Sequence, residues 1–130
     1  MPHMPDRELI YNGERFSVWM TPKVRKEFSK AEARFRARCG RLMERFADRG
    51  PEVLTDEQFK QQERFTIGDM KGTKVAISAF KAFQLRVYGG FIPGTGEFVC
   101  TEIEVAKKRN EATRATLERA ARYLGQFMRR

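Results

Sequence analysis

The chain has 130 residues, carries 26 Lys and Arg against 17 Asp and Glu for a formal charge of +9, and is 41% hydrophobic. That length suits one domain with one modest core. No apolar run approaches the ~20 residues of a membrane span, Met1–Asp6 has no signal-peptide region, and the single histidine, His3, excludes His-based triads and most zinc sites.

A cytoplasmic protein with no membrane association, no metal and no small-molecule cofactor is expected. Cys39 and Cys100 lie far apart inside apolar patterns and read as reduced, buried thiols. The charge is unevenly spread. Residues 23–49 are net +6, residues 107–130 are net +6, and residues 50–106 are net −2. Two basic blocks of this size point to a polyanionic partner.

In chain order, residues 1–14 are expected to be a flexible tail before a single domain over 15–130. The first predicted strand is Arg15–Met20, where Phe16, Val18 and Met20 alternate with Arg15, Ser17 and Trp19. Thr21-Pro22 opens a predicted long helix, with Thr as cap and Pro at the first helical position. Its apolar face is Val24, Phe28, Ala31, Phe35, Cys39, Leu42 and Phe46, at spacings of three and four. Gly40 marks a candidate bend or break, and Gly50-Pro51 ends the helix. Arg34, Arg38, Arg41 and Arg45 form a second stripe on the same helix. Four like charges one turn apart repel one another, so the stripe suits contact with an anion.

Thr55-Asp56-Glu57-Gln58 reads as a capping box opening a short second helix to about Glu63. Gly68–Gly72 reads as a turn. Three strands follow, at Lys74–Phe80, Phe83–Phe91 and Glu97–Val105, the last two joined by the loop Pro93-Gly94-Thr95-Gly96. Along Phe83–Phe91, Gln84, Arg86 and Tyr88 share one face. Along Glu97–Val105 the alternation puts Val99, Thr101, Ile103 and Val105 on one face, with Phe98, Cys100, Glu102 and Glu104 opposite. Asn110 is the predicted cap of a final helix, Glu111–Phe127, whose apolar face is Leu117, Ala120, Ala121, Leu124 and Phe127. The order β-α-α-β-β-β-α is α+β.

Two stretches carry a family resemblance: Phe80-Lys81-Ala82-Phe83-Gln84-Leu85-Arg86-Val87-Tyr88-Gly89, and the basic run Ala106-Lys107-Lys108-Arg109-Asn110 before the last helix. With the strand and helix order of Lys74–Gln126, they resemble the RelE/HigB superfamily of bacterial and phage toxins, especially its HigB-like branch. The resemblance implies a small, mainly antiparallel sheet of about four strands, packed by a long N-terminal helix, a short second helix and a C-terminal helix. It implies a metal-independent, ribosome-dependent mRNA endonuclease that inhibits translation and is neutralised by a cognate antitoxin protein. In that reading Arg86 matches the strand arginine at the scissile phosphate and Lys81 a basic residue on the preceding strand. Lys107, Lys108 and Arg109 match the run lining the RNA groove. The sequence departs from the family at Ala79, where many relatives carry an acidic residue, and in lacking a C-terminal catalytic His or Tyr.

The chemistry of these residue types fits RNA cleavage by its own 2′-hydroxyl. Arg86 can hold two phosphate oxygens in its planar fork. Lys81 or Tyr88 can move protons only with a strongly perturbed pKa. Gln84, Arg34, Arg38, Arg41 and Arg45 are further candidate contacts to RNA, the ribosome or the antitoxin. Two other readings fit the same residues: a non-catalytic nucleic-acid or ribosome binder, and an interaction module for an acidic partner protein.

Overall fold

A computed structural model describes residues 5–106 and 113–128. Six strands form one mixed sheet: β1 (Glu8–Asn12), β2 (Ser17–Met20), β3 (Phe59–Thr66), β4 (Lys74–Ala82), β5 (Leu85–Ile92) and β6 (Glu97–Glu104). Their order across the sheet is β1-β2-β6-β5-β4-β3. All neighbours are antiparallel except β2 and β6, which run parallel from Ser17↔Glu97 to Met20↔Cys100. Helices α1 (Pro22–Ser29) and α2 (Ala33–Arg49) cover one face, and α3 (Arg114–Gly125) covers the other. No helix among the described residues is long and apolar enough to cross a membrane.

The α1/α2 side holds the larger core. Phe46 sits at its centre, with the rings of Phe16, Phe59, Phe80, Phe91 and Phe98 at centroid distances between 5.0 and 5.7 Å. Truncating a buried phenylalanine in such a cluster costs about 3–5 kcal/mol. The α3 side packs Leu117, Ala120, Ala121, Leu124 and Phe127 against Ile77, Ala79, Tyr88 and Val99. That is the helical face expected from the sequence. Cys39 and Cys100 are both buried free thiols, and burial pushes Cys39 up to about 12.

The expected sheet of about four mainly antiparallel strands is corrected to six mixed strands, for two local reasons. Glu8–Asn12 is strand β1 rather than tail. It pairs with β2, Ile10 and Tyr11 pack on the α2 core, and Arg7 donates to Glu97 through Nη1 and Nη2 at 3.0 and 3.2 Å. The short helix expected from Thr55 is also absent. Thr55 N–H does donate to Gln58 Oε1 at 3.0 Å, so the capping contact forms, but the chain makes one turn and enters β3. An extra residue in β3 between Gln61 and Arg64 lets Phe59 face the α1/α2 core and Phe65 the α3 core. That is the physical effect of a β-bulge.

The single long N-terminal helix is corrected to α1 and α2, with Lys30–Glu32 between them. Thr21 caps α1, accepting from Val24 N–H at 3.3 Å. Glu32 is extended (φ −55°, ψ 137°), and the Arg36 guanidinium donates to the Ser29 and Ala31 carbonyls at the break. Ala31 stays buried, so the apolar spacing runs unbroken across two helices. Gly40 lies inside α2 and breaks nothing; a Cβ there would stand 2.8 Å from the Tyr11 hydroxyl, so it makes room for β1. Gly50 ends α2 at φ 90°, as the sequence predicts. The last helix begins later than expected, at Arg114. Its cap is Thr113, which accepts from Thr116 N–H at 3.3 Å; Asn110 and Glu111 lie outside the described residues.

Candidate nucleic-acid interface

The β4–β5 hairpin closes through a two-residue turn, Phe83-Gln84. Lys81 and Arg86 therefore become direct cross-strand partners. Lys81 N–H donates outward to Gln58 O at 2.8 Å, so it does not bond across to β5. Side chains come closest in such a non-hydrogen-bonded pair. Two cations held opposite each other are unfavourable. The Lys81 ammonium responds with a lowered pKa, first through desolvation, then through Arg86, then through Lys60.

Arg86 is anchored at the turn. Its Nη1 donates to Phe83 O and, at 3.0 Å, to Leu85 O. Its Nε is buried without a hydrogen-bond partner. A buried unsatisfied donor costs about 1–3 kcal/mol.

Tyr88 lies next along the same face and is 1% exposed. Its hydroxyl donates to Glu104 at 2.7 Å. A register shift explains this contact. Tyr88 opposes Glu102, whereas Gly89 opposes Cys100, so β6 carries one extra residue there. The extra residue corrects the simple alternation expected for β6. Phe98, Cys100 and Ile103 pack on the α1/α2 side, Val99 packs on the α3 side, and Glu104 meets Tyr88. Burial first, and the Glu104 hydrogen bond second, raise the Tyr88 phenol well above its ordinary value. It therefore stays protonated at neutral pH, a shift away from that of a general base.

These side chains line a cavity of about 280 Å³ between β3, β4, β5 and the start of α3. Ala79, Phe65 and Leu117 form its apolar floor. Among the described residues its lining carries Lys60, Lys81, Arg86 and Arg114 against one carboxylate, Glu63. Glu63 is paired with Arg114 at 3.4 Å in an exposed bridge. Ala79 is 1% exposed and stands directly opposite Tyr88, so an acid at that position would be buried.

The structure thus brings Lys81, Arg86 and Tyr88 together. It does not bring in Gln84, which sits exposed in the turn rather than in the strand as expected. Arg34, Arg38, Arg41 and Arg45 lie on α2, across the sheet from the cavity; Arg34 reaches the β4–β5 turn, with its guanidinium 4.5 Å from the Phe83 ring centre. Lys107, Lys108 and Arg109 lie outside the described residues. Sequence reasoning missed Lys60, hidden in the segment read as a helix, and Glu104, turned to this face by the β6 irregularity. Phe98 is fully buried in the core and offers no stacking surface.

No family model, no curated protein and no solved structure matches this chain.

Proposed function

We propose that the chain acts on RNA as a metal-independent endoribonuclease cutting mRNA held in the ribosome, and that an acidic antitoxin protein neutralises it. The observation that carries this reading is the convergence of Lys60, Lys81, Arg86 and Arg114 on one cavity whose floor is apolar. A pocket that gathers four cations is suited to a phosphodiester, and most of all to the extra charge of a phosphorane.

In this mechanism the positive charge of the Arg86 guanidinium stabilises the non-bridging oxygens of the scissile phosphate. The 2′-hydroxyl proton passes to the neutral fraction of Lys81, which its lowered pKa enlarges. The 2′-oxygen forms a bond to phosphorus and the bond to the 5′-oxygen breaks. The leaving oxygen takes a proton from water or the Lys60 ammonium. The products are a 2′,3′-cyclic phosphate and a 5′-hydroxyl. Tyr88 holds Glu104 and shapes the wall without moving a proton.

A second reading, a non-catalytic RNA or ribosome binder, is favoured by one observation: the Tyr88 hydroxyl is committed to Glu104, leaving Lys81 as the one proton carrier among the three predicted catalytic side chains. The experiment is message cleavage in a purified translation system with and without ribosomes, comparing wild type with Arg86→Ala and with Lys107→Ala/Lys108→Ala. Ribosome-dependent cuts that fall about 100-fold or more in Arg86→Ala support the enzyme. Intact message at high protein concentration removes the enzyme reading. Retained RNA binding with a steep salt slope would then support the binder.

A further inference from the structure

Phe83 is anomalous in two ways. It is a large apolar side chain left 50% exposed, and its backbone is in the left-handed region at φ 57°. It is the one non-glycine residue there among the described residues. Asn or Gly adopts that conformation more readily, and an aromatic residue held in it invites a functional reason.

Its surroundings supply one. The Phe83 ring stacks on Phe35, with centroids 5.0 Å apart and planes 24° from parallel. The Arg34 guanidinium lies 4.5 Å from the Phe83 centroid and 5.7 Å from that of Phe35. The last distance is too short for Arg34 and Phe35 to sandwich Phe83 between them, and the residue is half exposed. The Phe83 carbonyl also accepts from Arg86 Nη1. The half-exposed ring, a flanking cation and the guanidinium at the cavity are therefore joined through one two-residue turn.

We propose that Phe83, flanked by Arg34, is a stacking platform for an unpaired base of single-stranded RNA whose adjoining phosphate enters the Lys81–Arg86 cavity. This inference rests on the RNA reading above and deepens it, by requiring a strand whose bases are free of pairing. An aromatic ring beside a guanidinium is the arrangement that binds single strands with little sequence preference, because every base presents a π face. It also gives the first arginine of the α2 stripe a role, while Arg38, Arg41 and Arg45 remain farther along the helix.

The test measures binding of the full chain to two fluorescent probes, a short oligoadenylate and an abasic ribose-phosphate oligomer of equal length. Phe83→Asn removes the ring but tolerates the positive φ, Phe83→Tyr keeps the ring, and melting curves check folding. Wild type is expected to bind oligoadenylate more tightly than the abasic oligomer. Phe83→Asn is expected to weaken oligoadenylate binding roughly 5- to 150-fold, the range for loss of one base–aromatic stack, and to leave abasic binding and both salt slopes unchanged. Phe83→Tyr keeps the preference. Should Phe83→Asn not fold, Phe83→Leu removes the π face while retaining apolar volume and is read in the same way. If Phe83→Asn weakens both probes equally, or neither, the platform is overturned and the ring is left to contact a protein, while the RNA reading stands. If wild type binds neither probe, the platform is overturned, and message cleavage with ribosomes decides the RNA reading separately.

Discussion

Replacing Tyr88 by Phe removes one oxygen and keeps the ring, so it isolates the hydrogen bond to Glu104. The donor is 1% exposed and the O···O distance is 2.7 Å. A hydrogen bond to a charged group contributes about 1.5–3 kcal/mol. Glu104 is only half-buried, so the lower part of that range applies, and Tyr88→Phe should lose about 1.5–2 kcal/mol at pH 7. For a domain of this size that is a fall in Tm of about 5–7 °C. The loss should depend on pH in a definite direction. Burial and Glu104 raise the folded-state phenol above its ordinary 10.0. Stability from such a group is fully present below the unfolded pKa. It declines as pH rises further, because the unfolded chain releases a proton that the folded chain retains. The decline approaches about 1.4 kcal/mol per pH unit. The variant has no phenol to titrate, so the gap between wild type and Tyr88→Phe should shrink to near zero by about pH 11. Urea unfolding of both proteins across that range measures the gap directly. A variant as stable as wild type at pH 7, or a gap that stays constant into the alkaline range, would refute the reasoning.

Three further outcomes follow from the same geometry. Arg86 is one cause of the lowered Lys81 pKa, so Arg86→Ala should raise it, measured by NMR titration of isotopically methylated lysine; an unchanged or lower value would show that the two cations do not interact. Gly40→Ala should gain about 1 kcal/mol of helix propensity in a Tyr11→Phe background, where the hydroxyl 2.8 Å from the new Cβ has been removed. In the wild-type background it should gain less, and equal effects in thermal melts would contradict the close approach. Thr113→Ala should cost about 1 kcal/mol through loss of the α3 cap, read by urea unfolding, and a neutral result would place the cap elsewhere.

Much of this molecule was legible residue by residue. The apolar faces of α2 and α3, the three strands from Lys74 to Glu104, the Gly50 stop and the 93–96 loop all follow from local periodicity and local backbone preference. Lys81 and Arg86 were named through the family resemblance; their cross-strand pairing comes from the Phe83-Gln84 turn, which the alternation had placed inside a strand. The sequence by itself therefore determined the α+β class. The tertiary structure decided what depends on non-local pairing. Glu8–Asn12 is a strand because β2 offers it an edge, and Phe59–Thr66 is a strand because β4 does, although Thr55–Gln58 carries a helix-opening signal. The extra residues in β3 and β6 each reverse the facing of everything beyond them, which no alternation within one segment can reveal. The β6 reversal and the docking of α3 add Glu104 and Arg114 around Lys60, Lys81, Arg86 and Tyr88. The break between α1 and α2 was invisible for the opposite reason: both helices pack on the same core, so the spacing of apolar residues passes through it unchanged.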